Sequence, residues 1–380
     1  MNRSGNYIQQ PTGYKAFEPA PLPPKPELVI DIEMQNLLSR ADRALAKMDG
    51  IAHTLPNLNL FIAMYVRKEA LLSSQIEGTQ ASLEDIFGVE SGEKPENIND
   101  AEEVINYIKA LNHGIRRLGE LPMSLRLIKE IHGVLIKGVR GEHKYPGEFR
   151  KTQNWIGAKG ANLSNASFIP PAPADMIRAM NDLEIYMHRE KGYPALIECA
   201  LIHYQFETIH PFLDGNGRLG RLLITYYLYW KQIISKPLLY LSLYFKKNRQ
   251  EYYDRLNMAR TKGDYEQWVM FFLKGLAETA ESGLENIRKI LVMHQEKENL
   301  LWQKKLSSPY AMGILNFLFT VPYVSIKLIS EKFDISFQSA STLVNQFVKL
   351  GILKEITGRK RDQKFIFKDY VGLLSEGTEL

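Results

Sequence analysis

Apolar residues recur every three to four positions through most of this chain, the spacing that lays a single apolar stripe along an α-helix. The first clear stripe runs over about 28–48, through Ile30, Ile32, Met34, Leu37, Leu38 and Leu45. A second, over about 57–76, uses Leu60, Met64, Val66, Ala70 and Leu71. Further helices are expected at about 101–118, 124–136, 174–190, 193–209, 222–232 and 265–301, with another opening at Asn248. Asp100, followed by Glu103, has the spacing of an N-cap with its partner three residues on. Two short pieces, 152–156 and 166–169, have extended character, and the small-residue loop between them predicts a β-hairpin. Residues 1–27 carry no stripe; their prolines predict an extended arm laid across the surface.

After residue 309 the pattern shortens. Helices are expected at 312–319, 325–333 and 338–350, and residues 352–367 read as two strands around a basic turn. Three helices followed by such a β-wing resemble the winged helix-turn-helix family. Residues 306–370 hold nine Lys/Arg against five Asp/Glu, with Arg359, Lys360 and Arg361 at the wing tip. That charge suits contact with DNA phosphates, and a protein or dimer interface is the alternative use of such a module. The fold class expected is mainly α, with segments at 1–95, 96–303 and 304–380.

Composition narrows this little. Of 380 residues, 45% are hydrophobic and 24% charged, as in ordinary soluble proteins. A net charge of +5 does not by itself argue for nucleic acid or membrane. The one cysteine, Cys199, excludes an internal disulfide and sits on an apolar stripe. No apolar run is long enough to span a bilayer and none of signal-peptide type opens the chain, so a cytoplasmic protein without membrane contact is expected.

The chemistry concentrates where two apolar runs are interrupted by His210-Pro211-Phe212-Leu213-Asp214-Gly215-Asn216-Gly217-Arg218-Leu219-Gly220-Arg221. Pro211 and the Gly-Asn-Gly break the helix, and the chain then starts a new one. Such a turn points backbone N–H groups at a helix N-terminus, where anions are favoured. Arg218 and Arg221 add positive charge, Asp214 adds a hard oxygen ligand, and His210 adds a base. A nucleotide-phosphate site with its own general base follows, and it is not a Walker loop.

Every specified position of this stretch, nine of twelve, matches H-P-F-x-[DE]-G-N-G-R-x-x-R, and over about 60–300 the chain resembles the Fic family. The resemblance implies transfer of AMP from ATP to a Ser, Thr or Tyr hydroxyl of a target protein or of the chain itself. In that reading His210 is the base and Asp214 holds Mg²⁺. Phe212, Leu213, Asp214, Gly215, Asn216 and Gly217 form the nucleotide-binding turn, with Asn216 adding a side-chain donor and the Phe212 ring packed in the core. Arg218 and Arg221 grip the β- and γ-phosphates, and Tyr252 and Tyr253 lie near the adenine. Some relatives carry an Asn where Arg260 stands here. The hairpin at 152–169 becomes a flap that holds the target in extended form.

Ser73-x-x-x-Glu77-Gly78 is similar to the family's inhibitory motif. It implies that Glu77 pairs with Arg221 in the nucleotide site, that Ser73 braces the carboxylate, and that Gly78 also caps the helix. Two other readings stay open: a nucleotide-sensing transcriptional regulator, and an enzyme that removes AMP with Glu77 positioning water. A homodimer and DNA at the wing are open as partners.

Overall fold

Most of the apolar stripes become helices stacked around the pair that flanks the glycine-rich turn. The computed structural model describes residues 3–52, 58–90, 97–139, 142–158, 160–190, 192–304, 306, 308–359 and 361–378. The elements in order are β1 (Gly5–Gln9), β2 (Lys15–Pro19), α1 (Ile32–Ala52), α2 (Leu58–Ile76), α3 (Leu83–Glu90), α4 (Ile98–Leu118) and α5 (Leu125–Ile136). They continue with α6 (Pro173–Met187), α7 (Ala195–Ile209), α8 (Asn216–Trp230), α9 (Ser242–Lys247), α10 (Arg249–Lys262) and α11 (Tyr265–Gln303). The last group is α12 (Ala311–Thr320), β3 (Tyr323–Ser325), α13 (Ile326–Phe333), α14 (Phe337–Lys349), β4 (Lys354–Glu355), β5 (Lys364–Ile366) and α15 (Lys368–Ser375).

Helix α7 explains the architecture. Its side chains are buried on every face, with only Ala195 and Glu207 partly exposed, so it must run through the middle of the bundle. Helix α8 packs back along it, α11 and α6 cover its other sides, and α1 lies along α11. Helix α2 is wedged between α4 and α9 and also touches α8, α12 and α15. Each fully buried Leu, Ile or Phe in this core contributes about 1.5–3 kcal/mol. Among the described residues, no helix is long and apolar enough to cross a membrane.

Several sequence expectations need correction. The N-terminal segment is not merely an extended arm: β1 and β2 pair antiparallel from Gly5↔Pro19 to Gln9↔Lys15. Phe17 is buried and its N–H donates to Ile169 O at 2.9 Å, which ties the hairpin to the end of the flap. The flap itself is smaller than a hairpin, a single antiparallel bridge between Ile156 and Phe168. Asp100 is not an N-cap; α4 starts at Ile98, and Asp100 in its first turn accepts from Gln80 N at 2.7 Å. Helix α3 was not foreseen, although Ser82 and Asp85 cap each other reciprocally at 3.1 and 2.8 Å. The start of the second stripe near Asn57 and the segment boundary at 95–96 touch 53–57 and 91–96, outside the described residues.

At the C-terminal end, β3, β5 and β4 form an antiparallel sheet in that order beside α12, α13 and α14. Strand β3 and helix α15 had not been expected from the sequence. Arg359 and Arg361 are exposed in the turn between β4 and β5, and Lys360 lies outside the described residues.

Candidate active site

His210 ends α7 in the left-handed region, at φ 51° and ψ 61°, an uncommon place for a residue with a side chain. That conformation turns the chain sharply into the loop, and two side chains hold it. Arg150 donates Nε to His210 O at 3.0 Å, while its other nitrogens reach the carbonyls of Thr152, Pro171 and Ile209. Asn154 Nδ2 donates to His210 O at 3.1 Å and to Phe212 O at 2.9 Å. Neither residue had been given a role from the sequence, although both stand in the Pro-Gly-Glu-Phe-Arg and Asn-Trp-Ile-Gly runs beside the flap.

The turn closes on itself through Asn216. Its Oδ1 accepts from Phe212 N at 2.9 Å and its Nδ2 donates to Phe212 O at 2.8 Å. The expected side-chain donor to phosphate is therefore already used, because both ends of the amide latch the loop. Asn216→Ala leaves the buried Phe212 N–H without its acceptor and should cost about 1–3 kcal/mol. Thermal denaturation of the variant checks this. Gly215 sits at φ 75°, as its place before α8 requires, and a Cβ there would meet Ile136 Cδ1 at 2.6 Å.

Phe212 is fully buried and stacked on His132, ring centroids 3.7 Å apart, so its side chain offers no ligand contact. His132, also unforeseen, donates Nε2–H to Asp214 O at 3.0 Å and accepts from Gly147 N at 2.9 Å. Burial lowers its pKa to about 4, which keeps it in the neutral form that this pair of bonds needs.

A cleft of about 320 Å³ opens in front of the turn, lined by His210, Leu213, Asp214, Gly215, Asn216, Gly217 and Arg218. Glu77, Thr79, Glu103 and Lys144 complete it. His210 Nδ1 is buried and has no hydrogen-bond partner among the described residues. Desolvation, and then the Arg150 charge, lower its pKa to about 4, so the imidazole is neutral near pH 7. One Asp214 oxygen accepts from Gly215 N at 2.7 Å and the other faces Lys144 Nζ at 3.4 Å.

Both arginines are already paired. Arg218 Nη1 donates to Glu103 Oε2 at 3.1 Å, a bond between two largely buried side chains on the wall of the cleft. Glu103 also accepts from Thr79 Oγ1 at 3.2 Å, so it is a site residue rather than part of a capping box. Arg221 donates Nη2 to Glu77 Oε1 at 2.6 Å and to Ser73 O at 2.9 Å, and Nε to Ser73 Oγ at 2.8 Å. Ser73 therefore braces the arginine, not the carboxylate as expected. Burial alone would raise the Glu77 pKa, but the Arg221 guanidinium outweighs it and holds the carboxyl below its usual range. Gly217 makes the contact sterically feasible, since a Cβ there would run into Glu77 Oε1. Gly78, at φ 97°, ends the helix that carries Glu77.

The tyrosine pair separates. Tyr252 is buried, bonded to His203 Nε2 at 2.8 Å and packed against Phe245, so it cannot reach a ligand. Tyr253, one residue on, points elsewhere and is 38% exposed. Arg260 lies over the Phe168 ring at 3.9 Å, under the flap.

A helix ending in a neutral histidine, a latched glycine turn and a second helix starting beneath two arginines form one helical hairpin that lines the cleft. Family models described as "Fic/DOC family N-terminal" and "Fic/DOC family" match residues 35–116 and 122–228. The chain belongs to the Fic/DOC family. It is 32% identical over 155 residues to a protein adenylyltransferase Fic of Aedes aegypti, covering 39% of this chain and 27% of that protein. It is 27% identical over 286 residues to one of Nematostella vectensis, covering 70% and 62%. The chain thus spans between 27% and 62% of the length of these curated relatives. A Fic family protein from Desulfovibrio desulfuricans superposes with a TM-score of 0.57 at 18% identity, over 90% of this chain and 97% of that one. A Fic domain containing signaling protein from Bacteroides thetaiotaomicron does so at 0.50 and 20%, over 67% and 94%.

Proposed function

We propose that this chain transfers AMP from ATP to a hydroxyl side chain of a protein, and that Glu77 restrains the transfer. The observation that carries the proposal is the meeting of Glu77 and Ser73 with Arg221, at the rim of the cleft that holds His210 and Asp214. The chemistry follows from these groups. His210, neutral and facing the cleft, takes the proton of the attacking hydroxyl as it closes on the α-phosphorus. The N–H groups at the start of α8 receive the phosphates, with Arg218 lining the same cleft. Asp214 fits Mg²⁺ of the kind held by one carboxylate together with substrate phosphates. Bound there, the ion would offset charge building on the leaving pyrophosphate. The target segment would pair along the flap at 152–169, where main-chain bonds register a hydroxyl with little demand on side chains.

Incubation with ATP and mass analysis of the protein tests the proposal. One AMP added to a Ser, Thr or Tyr is expected once Glu77 is changed to Gly, and a Glu77→Gly chain that leaves both itself and an added cell lysate unmodified would count against it.

The low pKa of His210 gives a pH signature. Protonation removes the base only as pH falls through about 4. In a chain freed by Glu77→Gly, kcat/KM should therefore stay flat from pH 8 to 6 and fall toward pH 4. An acid limb near the ordinary histidine value of about 6.5 would mean that the imidazole is solvated.

A further inference from the structure

The face of α2 turned away from the cleft is clamped by the segment that follows α15. Lys68 and Gln75 lie two helical turns apart on one side of α2. Ser73 and Glu77 lie on the other, because two residues of offset from Gln75 turn the helix by about 200°. Lys68 Nζ donates to Glu376 O at 2.6 Å and lies 4.9 Å from the centre of the Tyr240 ring. Gln75 Nε2 donates to Thr378 O and to Ala81 O, both at 3.1 Å, while its Oε1 accepts from Lys246 Nζ at 2.7 Å. Gly377, at φ 80°, lets the strap lie close on α9, since a Cβ there would meet Leu243 Cδ1 at 2.6 Å. Thr378 is buried beneath it. These donors reach backbone carbonyls of the strap, so the contact depends on where α15 sits rather than on the identity of strap side chains.

We infer that residues 376–378 are a strap through which the C-terminal unit of α12–α15 holds the inhibitory helix, and that shifting this unit releases Glu77 from Arg221. The inference rests on the proposed restraint by Glu77. Helix α2 is a rigid element with the restraint on one face and the strap on the other, with Gln75 only two residues from Glu77. Losing the strap bonds frees the last turn of α2, the only part of the helix that must move for the Glu77 carboxylate to leave Gly217. Anything that binds the C-terminal unit and displaces α15 would act through this contact, and coupling of this kind is reciprocal.

The test compares Lys68→Met/Gln75→Met with the parent chain, each with Glu77 and with Glu77→Gly. The strap predicts a rise in AMP transfer of about tenfold when Glu77 is present, within the span typical of coupled sites. It predicts no further rise when Glu77 is already glycine. A gain that persists in the Glu77→Gly background would place the effect elsewhere and overturn the inference. No gain from the double substitution, beside a clear gain from Glu77→Gly, would reduce the strap to packing. No gain from Glu77→Gly itself would instead remove the restraint on which the inference rests. Hydrogen exchange gives a second readout that needs no activity. Amides 73–77 should exchange faster in the double variant while α7 and α8 keep their protection, and unchanged exchange would overturn the strap.

Discussion

Glu77→Gly should raise the rate of AMP transfer about 10- to 100-fold, or about 1.4–2.7 kcal/mol, the usual worth of a hydrogen bond to a charged group. The lower part of that range is favoured because the Glu77 side chain is 39% exposed and partly screened. Two effects add. The substitution frees Arg221, which is 2% exposed and held by Glu77 and Ser73, to meet a phosphate. It also removes a carboxylate from above Gly217, where the helix N-terminus should face the nucleotide. A labelling time course at equal protein concentration measures the gain. Glu77→Gly/Arg221→Ala should lose it again; if that double variant stays as fast as Glu77→Gly, Arg221 is not the group that Glu77 restrains.

His210→Ala, made in the Glu77→Gly chain, should lower transfer by about 10²- to 10⁴-fold, the usual worth of a positioned general base. ATP affinity should hold, because the turn is latched by Asn216, Asn154 and the Arg150 main chain rather than by the imidazole. Titration calorimetry with ATP separates the two effects. Loss of binding together with turnover would make His210 a structural cap of α7, and labelling at the parent rate would end its role as base.

The site was legible where its chemistry is contiguous. From His210 to Arg221 the residue types crowd into one turn, and helix breakers mark its edges. Glu77 could be placed only by resemblance, because Ser73-x-x-x-Glu77-Gly78 is too short a motif to carry weight without the complete signature downstream of it. The pairs that span the chain were not legible. Arg218 reaches Glu103 across 115 residues, and Arg150 reaches the His210 carbonyl across 60. Nothing in the local pattern of either segment encodes its partner. Asn216 misled for a related reason, since an amide that closes its own loop has the same spacing as one aimed at a ligand.

The fold was read from the stripes, and its helix ends moved by a few residues where a cap decided them. Asp31 accepts from Met34 N at 2.8 Å, so α1 begins at Ile32 rather than near 28. The N-terminal hairpin was hidden by the prolines that follow it, because their extended character was carried back over residues 5–19. Tyr252 and Tyr253 could not be told apart from periodicity, since both stand within one helical turn of the buried Leu256 on α10, and only the tertiary packing decides that Tyr252 is the buried one.

Two parallel incubations of the Glu77→Gly chain test the central claim most directly, one with ATP labelled at the α-phosphate and one with ATP labelled at the γ-phosphate. Label on protein is expected from the α-phosphate alone, and is lost when His210 is also changed to Ala. Label from the γ-phosphate, or none from either, would contradict AMP transfer by this site.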